Sequence, residues 1–179
     1  MFYTTTYSSP IGLLTLASDG ESLVGLWVEG QKYHGNTILK TMVERDDLKI
    51  FTQVKEWLKS YFAGGNPTIT HIPLAPLGTV FRQRILGILT EIPYGQLTTY
   101  GEIAKRVAIE MGRESMSSQA VGGAVGHNPI SIIIPCHRVV GSNGSLTGFA
   151  SGIETKIKLL QLEGVETSTL FIPKRGSAL

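Results

Sequence analysis

The segment Pro135-Cys136-His137-Arg138 sets the only cysteine of the chain beside an imidazole. A thiolate is the reactive form of cysteine, and an unperturbed thiol is half ionised only near pH ~8.5. A histidine close by can take the thiol proton, directly or through a water. Glu163 lies at the end of the next helical segment. Its carboxylate could orient that imidazole and stabilise the cation, as the acid does in a Ser-His-Asp arrangement. Each residue also has a plainer reading: a lone cysteine is most often a small buried hydrophobe, and a glutamate at a helix end is usually solvated. Pro135 favours the chemical reading, because it ends an apolar run and leaves Cys136 at the end of an element rather than inside the core. The trio permits a nucleophilic cysteine, and the sequence alone does not show whether the three meet in space.

The elements that must position these residues follow from pattern. Leu13–Leu16 and Leu23–Val28 flank Ser18-Asp19-Gly20-Glu21, a hairpin signal because Gly tolerates positive φ. Phe51, Val54, Trp57, Leu58, Tyr61 and Phe62 recur at helical spacing before Gly64-Gly65. Residues 66–76, with Pro67, Pro73 and Pro76, read as a linker. Thr79–Leu89 forms an amphipathic helix that must stop before Pro93. Thr99-Tyr100-Gly101-Glu102 has the capping-box pattern, which puts Tyr100 in the first turn of a helix reaching about Ala108. A loop through Gly112 leads to a second helix from near Ser117, a helix-turn-helix with a longer connection than the usual three or four residues.

That second helix carries Gly122, Gly123 and Gly126, each costing roughly 1 kcal/mol against alanine. Close packing on a neighbouring helix is the ordinary reason for such glycines. The alternative is a slim helix able to approach the B-form minor groove, which is about 6 Å wide. Ile130–Ile134 reads as a buried strand. A Gly/Ser-rich loop spans 141–152, and Ser151-Gly152-Ile153-Glu154 has the pattern of another capping box, opening a helix that closes at Glu163-Gly164.

Composition narrows the class. The chain has 179 residues, of which 42% are hydrophobic, as in an ordinary globular protein. No apolar run approaches the roughly 18 residues a membrane helix requires. The start, MFYTTTYSSP, lacks the basic-then-apolar pattern of a secretory signal. One cysteine allows neither an internal disulfide nor a multi-cysteine zinc site, and a reducing cytoplasmic setting fits best. The net charge of +2 does not announce a nucleic-acid partner. Residues 79–165 carry eight Lys/Arg against six Asp/Glu, while 1–78 carry six against seven. A DNA surface, if present, belongs to the second half.

The motifs Ile92-Pro93-Tyr94-Gly95, Thr99-Tyr100-Gly101-Glu102-Ile103-Ala104, Ala120-Val121-Gly122-Gly123-Ala124, Asn128-Pro129 and Ile134-Pro135-Cys136-His137-Arg138-Val139 stand in one order and spacing. In these the chain resembles the O6-alkylguanine-DNA alkyltransferases, or methylated-DNA–protein-cysteine methyltransferases. The likeness covers essentially the whole chain and is strongest from Leu77 to Gly164.

The resemblance implies an α/β (α+β) fold. A small RNase-H-like antiparallel-sheet domain over 1–75 precedes a mainly helical catalytic domain over 76–179, with a winged-helix-like helix-turn-helix. It implies direct reversal of DNA damage by irreversible transfer from O6-alkylguanine, with O4-alkylthymine as a second candidate substrate. The damaged base is flipped out of the duplex at a cost of a few kcal/mol. Cys136 would accept the alkyl group, His137 act as base through a water, and Glu163 hold His137. Tyr100 would assist protonation of the leaving guanine, and Asn128 brace the turn. The carbonyls of Cys136 and Val139 would read the guanine amino group. Gln119, Ala120, Gly122, Gly123 and Arg138 are expected to meet DNA, with Phe149 and Ala150 at the flipped base. The partner would be double-stranded DNA entered by the minor groove, and the protein a nucleoid-associated, bacterial-type monomer needing neither cofactor nor metal.

Two departures stand out: Gln119 occupies a position where many members place an inserting arginine, and Phe149-Ala150 replace a tyrosine and often a serine. Two rival readings follow from the residues. A cysteine hydrolase would need an oxyanion hole, and none is evident after Cys136. A recognition-only relative would lack the acceptor cysteine.

Overall fold

The computed structural model describes residues 1–38 and 41–173, so the last six residues of the expected catalytic domain lie outside the described residues. The chain divides into two compact units, Met1–Gly78 with Pro129–Ile133, and Thr79–Asn128 with the chain from Ile134 onward.

The first unit is built on a four-stranded sheet in the order β3-β2-β1-β4. The strands are β1 (Phe2–Ser9), β2 (Gly12–Ser18), β3 (Leu23–Val28) and β4 (Met42–Glu44). The expected hairpin is present, with Leu14 opposite Val28 and Leu16 opposite Leu26. Two strands were not legible in the sequence: β1, antiparallel to β2, and short β4, parallel to β1. All six residues of β3 are buried, which requires cover on both faces and on its open edge. The edge is covered by two segments of irregular chain. Leu23 N–H donates to the Pro73 carbonyl and receives Ala75 N–H, while Leu26 exchanges the same pair of bonds with Pro129 and Ser131. The supposed linker at 66–76 therefore contributes to the sheet. Helix α1 (Lys49–Phe62) buries Ile50, Phe51, Val54, Trp57, Leu58 and Tyr61, matching the expected periodicity.

The buried run at Ile130–Ile134 is not a strand. Ile130 makes a single bridge to Leu26, and Ile132 then takes φ +72°. That conformation is costly for a β-branched residue, and it ends the extended path.

The second unit packs α2 (Val80–Thr90), α3 (Tyr100–Glu110) and α4 (Ser118–Gly126) through Ile85, Leu89, Ile103, Val107, Val121 and Val125. Thr79 caps α2, accepting from Arg82 N–H. The Thr99–Glu102 capping box of α3 is complete in both directions. Gly112, at φ +62°, closes α3 by a Schellman arrangement with Arg113 N–H on the Ala108 carbonyl. Ser117 caps α4. Helix α5 (Ile153–Leu162) departs from expectation at its start. Its N-cap is Gly152 at φ +91°, with no side-chain cap, so Glu154 falls at the second helical position rather than the third and Ser151–Glu154 forms no capping box. Its end is as expected, with Gly164 and Val165 N–H on the Gln161 and Leu160 carbonyls.

Among the described residues, no helix is long and apolar enough to cross a membrane.

Candidate active site

Cys136 opens a 3-10 turn, Cys136–Arg138, whose C-cap Val139 returns its N–H to the Cys136 carbonyl. From there the chain enters the two-residue strand β6 (Val139–Val140), parallel to β5 (Thr98–Thr99), with Thr98 opposite Val139 and Thr99 opposite Val140. This small pairing sets the capped start of α3, and therefore Tyr100, beside the exit of the cysteine turn. Asn128 braces the entrance: its Nδ2 donates to the Ile134 carbonyl at 2.8 Å and to Cys136 Sγ at 3.1 Å. One amide thus clamps the points at which the chain leaves the second unit and re-enters it.

His137 is fully buried, and its Nε2 lies 2.6 Å from Glu163 Oε1. Burial raises the Glu163 carboxyl pKa, but hydrogen bonds from His137 and Arg138 outweigh it and hold the group well below the usual carboxylate range. Glu163 is therefore an acceptor, Nε2 carries the proton, and Nδ1 keeps the free lone pair. Nδ1 is buried and has no protein partner. Desolvation lowers the His137 pKa, with Glu163 opposing, so the resting imidazole is neutral and able to accept a proton. Burial pushes the Cys136 thiol up, and the Asn128 hydrogen bond partly offsets this. The thiol therefore needs a base.

Arg138 corrects the sequence reading, which had placed it against DNA. Its guanidinium turns inward, Nε to Glu163 Oε2 at 2.8 Å and Nη2 to Oε1 at 3.0 Å, with Nη1 on the Ile92 carbonyl at 2.6 Å. A bidentate pair of this kind neutralises a buried carboxylate and fixes its plane. Gly95 N–H adds a fourth bond, to Oε2 at 3.1 Å. Gly95 has φ +72°, and a Cβ there would meet the Glu163 carbonyl at 3.0 Å. The Tyr94-Gly95 motif thus serves to let the backbone reach Glu163.

Tyr100 donates to the Thr147 carbonyl at 2.8 Å, and burial pushes its phenol pKa up to about 12. Gly148, at φ +71°, passes so close that a Cβ would stand 2.6 Å from the Tyr100 hydroxyl. Phe149 is buried and edge-on to His137, with ring centroids 6.4 Å apart, and Ala150 is half-buried beside it. Val139 is buried, whereas Gln119, Ala120 and Gly123 are exposed on α4 and Gly122 half-exposed. The structure thus gathers Cys136, His137, Glu163, Asn128 and Arg138 in one network and sets the α4 residues outward.

Sequence reasoning missed Lys156. It is fully buried, donating to the Val139 carbonyl at 2.5 Å and the Thr147 carbonyl at 2.9 Å. The signal was present: Lys156 falls on the apolar face of α5, in register with Ile153, Leu159 and Leu160. Among the described residues, no group of three or more His, Cys, Asp or Glu is placed to hold a metal ion.

Comparison with known proteins gives the family. The family described as "6-O-methylguanine DNA methyltransferase, DNA binding domain" matches residues 80–165, and its "ribonuclease-like domain" matches 2–76. A methylated-DNA–protein-cysteine methyltransferase of Haemophilus influenzae is 45% identical over 91% of this chain and 87% of its own. One from Methanosarcina acetivorans is 42% identical over 90% and 98%. The crystal structure of Mycobacterium tuberculosis OGT in complex with DNA superposes with a TM-score of 0.76 at 39% identity, covering 94% of each chain. The chain therefore belongs to the methylated-DNA–protein-cysteine methyltransferases, the family that repairs DNA by alkyl transfer to a cysteine.

Proposed function

We propose that Cys136 is the acceptor and that one chain, acting as a monomer, removes one alkyl group from O6-alkylguanine in duplex DNA. The observation that carries this is the single cysteine beside a neutral imidazole, anchored by Glu163 on one nitrogen and with the other nitrogen open. In the reaction, His137 Nδ1 takes the thiol proton through a water, and Sγ attacks the alkyl carbon. The S–C bond forms as the C–O6 bond breaks, leaving its electrons on guanine. Tyr100 delivers a proton to the leaving base and is reprotonated from solvent as His137 gives up the thiol's proton, so that no proton is gained or lost overall. Burial of the phenol, which disfavours its anion, makes it a donor only toward a base as strong as the departing guanine. The carbonyls of Cys136 and Val139 would read the guanine amino group, and Phe149 would wall the pocket.

Helix α4 would enter the minor groove. A Cβ on Gly123 or Gly126 would meet nothing within 4 Å, and one on Gly122 would only touch the Tyr100 ring at 3.8 Å. Internal packing thus gives these glycines no reason, whereas close approach of a groove does. Gly123→Ala should stabilise the fold by about 1 kcal/mol yet weaken duplex binding. Higher thermal stability with unchanged DNA affinity would remove the groove argument. Gln119, uncharged, would fill the stack without the phosphate attraction of an arginine.

The reading is tested by stoichiometry. With lesion-bearing duplex in excess, repair should plateau at one lesion per chain. Continued turnover would point instead to a hydrolase.

A further inference from the structure

Lys156 is a buried ammonium whose hydrogen-bond partners are two backbone carbonyls. An isolated charge in an apolar interior is costly, so its retention calls for a role. The two carbonyls lie on either side of the site. Val139 follows the cysteine turn and belongs to β6, while Thr147 precedes Gly148, Phe149 and Ala150 in the loop that lies over His137 and Tyr100. The Thr147 carbonyl accepts from Lys156 and from Tyr100 together, which occupies both of its lone pairs.

We propose that Lys156 is a positioning residue that ties the cysteine turn to the 147–150 loop and holds that loop in place when Tyr100 gives its hydrogen bond to the target base. The proposal rests on the reading of Cys136 as acceptor and Tyr100 as proton donor. The Tyr100–Thr147 bond is exchangeable, because the phenol has a second partner once DNA is bound. The Lys156 bond is not, since the ammonium is enclosed. The Val139 carbonyl keeps one lone pair for guanine while Lys156 fixes its direction. The same charge favours the Cys136 thiolate over the thiol.

Burial brings the Lys156 pKa down to about 8, with Cys136 opposing. The ionisable groups that act on it are Cys136 and His137 of the turn, while Tyr100 of α3 shares the Thr147 carbonyl with it. Tyr100 remains protonated through this range, and His137 is already neutral. Loss of the Lys156 proton therefore adds a falling alkaline limb to the transfer rate, whereas ionisation of Cys136 by itself would make the rate rise.

The test compares wild type, Lys156→Met and Lys156→Arg in single-turnover transfer from duplex carrying one O6-methylguanine, with binding and thermal midpoint measured in parallel. The expected result for Lys156→Met is a saturating rate constant at least 30-fold lower, on the order of 2 kcal/mol. Half-saturating DNA should change less than about threefold, under 0.7 kcal/mol, and the alkaline limb should be gone. Lys156→Arg should recover part of the rate, because the cation and its donors return. A folded Lys156→Met that transfers at the wild-type rate, or loses only DNA affinity, overturns the proposal. If Lys156→Met does not fold, the wild-type profile decides: a saturating rate that stays level or rises through pH 9.5 overturns it, and a fall above pH about 8 supports it. Absence of methyl on Cys136 in wild type would be a failure of the acceptor assignment instead, and the mass of the reacted wild-type protein separates the two.

Discussion

Cys136→Ala is expected to abolish alkyl transfer while leaving lesion-bearing duplex bound with wild-type affinity. The cysteine is buried, and its side-chain partner Asn128 keeps its bond to the Ile134 carbonyl when sulfur is removed. The turn is held by backbone bonds and by the Arg138–Glu163 pair, so it should survive. Truncation of a buried cysteine leaves only a small void, costing about 1 kcal/mol. The measurement pairs an electrophoretic or fluorescence binding curve with a transfer assay on the same preparation. A folded variant that no longer binds the lesion would assign Cys136 to recognition rather than chemistry. A variant that still transfers would remove the acceptor altogether, since the chain has no other cysteine.

The second large effect is expected for Glu163→Gln. The change keeps the shape of the side chain but removes the charge that the Arg138 guanidinium grips at 2.8 and 3.0 Å. Breaking a buried pair by neutralising one partner leaves the other charge uncompensated, at roughly 3 kcal/mol. For a chain of this size that lowers the thermal midpoint by on the order of 10 °C. The imidazole loses its anchor and the stabilisation of its cation, so transfer should slow by roughly 10²–10⁴-fold, from the usual contribution of a positioned base up to the loss of about 10⁴ seen when the orienting acid of a triad is neutralised. Loss of stability with full transfer rate would reduce Glu163 to a structural role.

The same residue governs the acid limb of stability. The Glu163 carboxyl is held below its unfolded value of about 4.3, so its contribution is complete above that pH and is lost as pH falls through the lower folded value. The His137 pKa is also depressed in the fold, so it begins to erode stability below about 6.5. Both act in one direction. Wild type should lose stability on acidification, and Glu163→Gln should show a shallower slope below pH about 4.

Much of this site could be read in the sequence, because its key positions are adjacent or follow strong local signals. Cys136 and His137 are neighbours, and Tyr100 is placed by a capping box that the structure reproduces in full. Gly164 marks the end of α5 and so locates Glu163. What the sequence hid depends on tertiary contact. The inward turn of Arg138 is set by Glu163, which is 25 residues away. Lys156 resembled any surface lysine unless its register on α5 was followed. Strand β1 is rich in the strand formers Phe, Tyr and Thr, but it lacks the apolar alternation by which the neighbouring strands were read. The Ile130–Ile134 run carried every sign of a strand, but the positive φ of Ile132 ends it after one bridge. The apparent capping box at Ser151 failed because Gly152 accepts the cap conformation that Ser151 was expected to supply.

The most direct test is the intact mass of the protein after incubation with excess duplex carrying one O6-methylguanine, followed by peptide mapping. The account predicts a gain of one methyl group per chain, confined to the peptide containing Cys136, with no further increase on longer incubation. An unchanged mass in protein that still binds the duplex, or a methyl group found on any other residue, would contradict it.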